Sequence, residues 1–191
     1  CKVYQFEAVD LGQPIEQILR TYQLNAKDKG IELCQEVEPS LPPVLGHYDL
    51  LLQVFANLLG NALKFTEPGG KVVLRAYAIA DSEAPLVRVE ISDTGIGIDH
   101  CDQAAIFERF FRVENRVHTL EGTGLGLSIV KNIVDRHHSK VHLVSEVGVG
   151  TTFWFDLAVF QEASGTELLP KLEDAPTLEI EAEEIEASAL S

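Results

Sequence analysis

LQVFANLLGNALKFT, residues 52–66, decides how this chain is read. Asn57, Asn61 and Lys64 are the only strongly polar side chains between Gln53 and Thr66. In a helix they stand at i, i+4 and i+7, on one face. Val54, Phe55, Leu58, Leu59 and Ala62 lay an apolar stripe beside them. Such a helix buries one side and offers two carboxamides and an ammonium on the other. Amide oxygens are hard, neutral ligands that suit Mg²⁺ beside phosphates, because they add no negative charge there. A lysine one turn on pairs with phosphate as a point charge. An amphipathic helix whose polar face is merely solvated fits the same pattern, so this stretch needs support from others.

The chain has 191 residues, 46% hydrophobic and 24% charged, an ordinary globular composition. Its length suits one domain with a tail. It holds no run of about 18 apolar residues that would span a membrane, and no signal-peptide pattern. It begins at Cys1 and contains no Met, which reads as an excised piece of a longer protein. Cys1, Cys34 and Cys101 form no CxxC pair, which argues against a disulfide framework and a zinc site. A net charge of −15 disfavours nucleic acid as a partner. Nine acidic residues and one Lys lie from Gln161 onward, so residues 161–191 read as a flexible acidic tail behind a domain over 1–160.

Along the chain, Leu11–Lys29 reads as a helix with Pro14 near its start and Gly30 as its stop. Ile31–Val37 reads as a strand, and Pro39, Pro42 and Pro43 as a loop. The central helix opens at Gly46–His47 and is broken by Pro68–Gly69–Gly70. Lys71–Ala80 and Leu86–Ser92 form a hairpin of strands. His100–Phe111 is short helix or irregular, and Arg112–Glu121 a mobile loop. A helix follows to about His138, then strands Val141–Ser145 and Thr151–Leu157 around a Gly148–Gly150 turn.

Asp93 stands where an apolar strand stops, with Gly95 and Gly97 just beyond. A carboxylate accepts from an exocyclic amine, and glycines let a flat ring approach the backbone, a combination that suits adenine. A capped glycine turn and the Asp-Thr-Gly of an aspartic protease are the alternatives; the protease needs a second carboxylate to share a proton. Gly122, Gly124 and Gly126 lead into a helix, where free backbone N–H groups make an anion site, or else a flexible hinge. The spacing matches neither a P-loop nor a dinucleotide fingerprint. In residues 107–112, FERFFR, the aromatics either anchor a core and leave the arginines exposed, or pin the mobile loop while Arg109 or Arg112 reaches a γ-phosphate. The Gly148–Thr152 turn reads as structural.

These stretches, in this order, resemble the catalytic and ATP-binding domain of sensor histidine kinases. QVFANLLGNALKFT (53–66), DTGIGI (93–98), IFERFFR (106–112) and GTGLGLSIV (122–130) match that family's N, G1, F and G2 boxes, and GTTFWFDL (150–157) its closing strand. The wording of residues 112–130 is similar to the cyanobacterial stress-sensor type. The resemblance implies an α+β fold, the two-layer α/β sandwich called the Bergerat or GHKL fold. It has a mixed sheet with helices on one face and an ATP lid. By position, it makes Asn61 the Mg²⁺ ligand, and Asn57 and Lys64 phosphate or metal-shell contacts. Phe65 becomes an adenine-side wall, and Asp93 the reader of the adenine amine with Gly95, Gly97 and Ile98 around it. Arg112 becomes the phosphate-facing arginine, with Arg109 as second candidate. Gly122, Thr123, Gly124, Leu125, Gly126 and Leu127 become the lid hinge and phosphate cradle. His47 and Leu50 replace an Asp and an Arg common in relatives, with an expected effect on capping only.

The implied reaction moves the ATP γ-phosphoryl to a histidine, with Asn61, Lys64, Arg109 and Arg112 as the catalytic set and ATP and Mg²⁺ bound. No histidine here sits in the acceptor-helix motif, so the acceptor is expected on a separate dimerisation domain, with a response regulator downstream. The parent is expected to be homodimeric and membrane-anchored, and this cytoplasmic piece monomeric. A GHKL-type ATPase and a non-catalytic nucleotide sensor are the rivals. ATPases of that fold place a water-activating Glu four residues before the metal Asn; here that position is Asn57.

Overall fold

Alternation in strands spread between residues 32 and 158 builds the sheet, and one-sided burial decides where the helices go. The computed structural model describes residues 4–79, 84–109 and 125–162. In chain order the elements are β1 (Glu7–Val9), α1 (Gly12–Asp28), β2 (Glu32–Val37), β3 (Val44–Gly46), α2 (Tyr48–Phe65), β4 (Lys71–Ile79), β5 (Leu86–Asp93), α3 (Gly126–Arg136), β6 (His142–Glu146) and β7 (Gly150–Ala158). Five strands form one mixed sheet in the order β2-β4-β5-β7-β6. β2 runs parallel to β4, and every other neighbouring pair is antiparallel. β1 and β3 pair separately as a two-stranded ribbon.

Register places the apolar residues of the three central strands in rows. Leu74, Ile91 and Phe153 form one row, and Ala76, Val89 and Phe155 the next. All six are buried. Their alternating neighbours Arg75, Tyr77, Arg88, Glu90, Trp154 and Asp156 are only half-buried, so a single face of the sheet meets the core. The other face satisfies its own polar groups: Arg88 donates twice to Asp156, and Tyr77 to Glu90 at 2.6 Å.

α2 covers the buried face. Leu51, Val54, Phe55, Leu58, Leu59, Ala62 and Leu63 all turn inward, and Phe55 stacks on Phe155 at 6.4 Å. α1 packs on α2 through Ile15, Ile18 and Leu19, and the Tyr22 hydroxyl donates to the Ala56 carbonyl. Gly30, at φ +66, ends α1 in the left-handed region where glycine alone is unstrained. The result is the two-layer α/β sandwich with helices on one face that the sequence implies.

The differences are local. β3 lies just past the proline loop, in three residues too few to show alternation. α3 stops at Arg136, and His138 beyond it has φ +56. A β-carbon in that region costs roughly 1–2 kcal/mol, and the extra unfolded freedom of glycine offsets roughly half of it. His138→Gly is therefore expected to raise stability by about 0.5 kcal/mol, read as a higher urea midpoint at pH 8; a lower midpoint would contradict it. The loop expected at residues 112–121 and most of the expected tail lie outside the described residues.

Candidate functional site

α2 presents Asn57, Asn61 and Lys64 half-buried at the border of the core. The Asn57 side-chain amide donates to the Gln53 carbonyl at 2.9 Å. Its oxygen faces the first turn of α3, where a β-carbon on Gly126 would lie 3.1 Å away. The Asn61 carboxamide has no hydrogen-bond partner among the described residues. The Lys64 ammonium stands 5.1 Å from the centre of the Phe65 ring. That ring closes the helix and is 37% exposed, a flat apolar surface at the edge of the site.

Asp93 ends β5 with one oxygen fixed. Oδ1 accepts from the Gly95 amide at 2.8 Å and the Thr151 amide at 3.3 Å. Burial pushes the carboxyl up from its ordinary range, while those two amides pull it back. Oδ2 has no partner among the described residues, so it is an oriented acceptor open to a donor from outside.

The surrounding backbone is packed too closely for side chains. A β-carbon on Gly95 would stand 2.5 Å from the Phe65 carbonyl oxygen. One on Gly97, at φ +73, would stand 2.0 Å from that of Glu146. The Ile96 amide donates to the Phe65 carbonyl at 3.1 Å, and the Gly148 amide to the Ile96 carbonyl at 2.8 Å. The Ile98 amide donates to Ser145 Oγ at 2.8 Å. The end of α2, the 93–98 loop and the β6–β7 hairpin are thus joined by backbone bonds. The glycine turn read from sequence as structural is what seats this loop.

Thr151 is a site residue that the sequence reading missed. It is buried, faces Asp93 across the β5–β7 pairing, and shares a 2.7 Å contact with Ser145 Oγ. Its signal lay in sheet register, which the sequence does not print.

Leu125, Gly126 and Leu127 open α3, whose N-cap Leu125 has no side chain able to cap it, so its first turn lies beside Asn57 with N–H groups that no side chain among the described residues caps. Ile106 is buried, and Phe107 packs edge-on to Phe153 at 6.1 Å, so these two residues anchor their segment to the core. Arg109 on that anchor is exposed, and no bond brings it to α2 among the described residues. Arg112, Gly122, Thr123 and Gly124 lie outside the described residues.

The contacts join Asp93, Gly95, Gly97 and Ile98 to the Phe65 end of α2 and, separately, set Asn57 against Gly126, with Asn61 and Lys64 on α2 between the two. A fixed acceptor therefore stands near one end of α2, and neutral carboxamides lie along the helix. That arrangement suits a flat amine-bearing ring joined to a polyanion.

Comparison with known proteins agrees. A profile described as histidine kinase-, DNA gyrase B- and HSP90-like ATPase matches residues 46–161. Drug sensory protein A of Synechocystis sp. is 69% identical over 166 residues, 84% of this chain and 25% of its own length. An uncharacterized sensor-like histidine kinase, ycf26, of Pyropia yezoensis is 54% identical over 168 residues, 83% of this chain and 26% of its own. The chain thus spans about a quarter of the length of these curated relatives. Among solved structures, full-length ShkA in complex with AMPPNP superposes at a TM-score of 0.72, with 33% identity, covering 84% of this chain and 33% of that one. The mycobacterial sensor histidine kinase MprB gives 0.67 and 31%, covering 81% of this chain and 97% of that one.

Proposed function

This chain belongs to the histidine kinase-, DNA gyrase B- and HSP90-like ATPase family and is a histidine-kinase catalytic domain; from that premise we propose that it binds Mg-ATP along the polar face of α2 beside Asp93 and passes the γ-phosphoryl to a histidine of its parent protein. The observation that carries this is the open Oδ2 of Asp93, whose following loop is bonded to the end of α2, the helix that carries the exposed Phe65 ring and the carboxamide face. In this reading Asp93 accepts from the adenine amine, with Thr151 and Gly95 fixing its other oxygen. Phe65 walls one side of the ring, and Gly97 and Ile98 shape the floor.

The donor set fits Mg²⁺. Asn61 offers a neutral oxygen with no competing partner among the described residues, and Asn57 stands one turn away. Asn61 would hold the ion, which when bound supplies charge neutralisation at the phosphate oxygens. Lys64, Arg112 and Arg109 offset the remaining charge. Residues 122–127 cradle the phosphates on the start of α3. The bond between the γ-phosphorus and the β–γ bridging oxygen breaks as one to an imidazole nitrogen forms, and ADP departs. The chain's work is positioning and charge. With Asn57 in place of a water-activating Glu, transfer to a histidine is favoured over hydrolysis.

Residues 1–160 form this domain and 161–191 an acidic appendage. Among the described residues no helix is long and apolar enough to cross a membrane. The partners in this reading are a dimerisation domain bearing the acceptor and a response regulator, with no nucleic acid. The parent is a homodimer anchored in a membrane, and the isolated domain a cytoplasmic monomer.

Asn61→Asp tests the metal position. It adds a charge beside the triphosphate and disturbs metal geometry while leaving the buried side of α2 intact. Phosphohistidine formation on a supplied acceptor domain is expected to fall by roughly 30-fold, with an unchanged thermal midpoint. Wild-type transfer would refute the assignment.

A further inference from the structure

His137 ends α3 and is buried, whereas His138 beside it is exposed. Its Nδ1 lies 2.8 Å from the Ile133 carbonyl oxygen. A carbonyl only accepts, so Nδ1 carries the proton. Its Nε2 accepts the backbone N–H of His47 at 3.2 Å. Only a neutral ring in the Nδ1–H form makes both bonds. His47 is the N-cap of α2, so the ring ties the beginning of one helix to the end of another. Gly46 leaves the space for it: a β-carbon there would stand 3.3 Å from Nε2 and 3.0 Å from Leu51 Cδ1. Phe6 covers the ring edge-on at 4.8 Å.

The same two helices touch again at the nucleotide end, where Asn57 Oδ1 faces Gly126. From His47 to Asn57 the chain climbs about 15 Å, and from His137 back to Gly126 about 16 Å, at the rise of an α-helix. The pair is antiparallel, bonded at the His47–His137 end and in close approach at the Asn57–Gly126 end, over matching spans.

We propose that His137 is a positioning residue for the nucleotide site: its neutral ring clasps α2 to α3 and thereby sets Asn57 against Gly126, so that protonating the ring loosens the site. The inference rests on the nucleotide reading above. A proton on Nε2 turns the acceptor into a donor facing another donor, and the bond to His47 is lost. Burial holds the ring below the ordinary value of 6.5 against the opposing pull of the Ile133 carbonyl, and the neighbouring His47 and His138 push it further down. The clasp is therefore whole above that ordinary value and fails as pH falls through the ring's own lowered value. The other charged groups nearby are Arg136, which lies over the Tyr4 ring, and Glu7, exposed opposite Gly46 in the β1–β3 ribbon. Neither is bonded to the imidazole.

The test is an NMR titration of the full 191-residue chain without nucleotide from pH 7.5 to 5, with Mg-ATP affinity measured calorimetrically across the same range. The ring is expected in the Nδ1–H form at pH 7.5, and the amides of Asn57 and Gly126 are expected to shift with the His137 midpoint. Wild-type affinity should fall about fivefold over the ring's titration. In His137→Gln the amide shifts at that midpoint and the matching affinity loss should both vanish. An Nε2–H ring, a His137 titration that leaves Asn57 and Gly126 unmoved, or a variant with the wild-type pH profile would overturn the proposal. Should His137→Gln fail to fold, the wild-type tautomer and coupled shifts decide. Coupled shifts in a chain that binds no ATP at any pH would uphold the clasp and sink the nucleotide reading instead.

Discussion

Asp93→Asn is expected to lower ATP affinity by at least ~100-fold and to abolish phosphotransfer, while the thermal midpoint stays close to wild type. The two consequences separate because the two carboxylate oxygens do different things. Oδ1 is occupied by the amides of Gly95 and Thr151. An asparagine oxygen accepts both bonds, so the loop and the β6–β7 hairpin stay seated. Oδ2 is the one the ligand meets. In asparagine that position becomes an NH₂, a donor set against the donor of adenine. A charge-assisted bond of roughly 1.5–3 kcal/mol is lost, and two donors are left facing each other away from bulk water. Calorimetric titration with Mg-ATP, beside a thermal melt, reads both halves. An Asn variant that binds as tightly as wild type would show that the base lies elsewhere.

Leu58→Asp is expected to have the opposite signature, unfolding the chain outright. Leu58 is fully buried and sits mid-helix between Asn57 and Asn61, on the side of α2 that meets the sheet. Truncating a core leucine alone costs roughly 2–5 kcal/mol. An unpaired carboxylate there adds a desolvation cost of several kcal/mol more. Together these match or exceed the roughly 5–15 kcal/mol that holds an ordinary domain folded. Circular dichroism at 25 °C should show lost helix and no cooperative melt. A cooperative transition within a few degrees of wild type would mean that this face of α2 is not core. Neighbouring residues of one helix are thus expected to give lost phosphotransfer without unfolding at Asn61, and unfolding at Leu58.

That contrast was legible in the sequence because a helical period shows itself within a few turns. Phe55, Leu58, Leu59 and Ala62 declared the buried face, and Asn57, Asn61 and Lys64 the other. The hairpin of β4 and β5 was legible for the same reason, as alternation broken by a turn. Contacts between distant segments were not. Asp93 meets Thr151 because β5 lies beside β7, and nothing local in GTTFWFDL reports its neighbour. The glycine turn before it looked like a simple reversal until Gly97 and Gly150 were seen to pack against the backbone of facing segments. The partner of His137, His47, lies 90 positions away, beyond any local pattern. The phosphate-side residues Arg112, Gly122, Thr123 and Gly124 rest on motif order and the family's likeness, since they fall outside the described residues.

The most direct measurement is a crystal structure of this chain with Mg²⁺ and a non-hydrolysable ATP analogue. The expected density places the purine amine on Asp93 Oδ2 beside the Phe65 ring, the metal on the Asn61 carboxamide, and the phosphates along α2 toward the start of α3. A ligand bound at any other surface, or absent at saturating concentration, would contradict it.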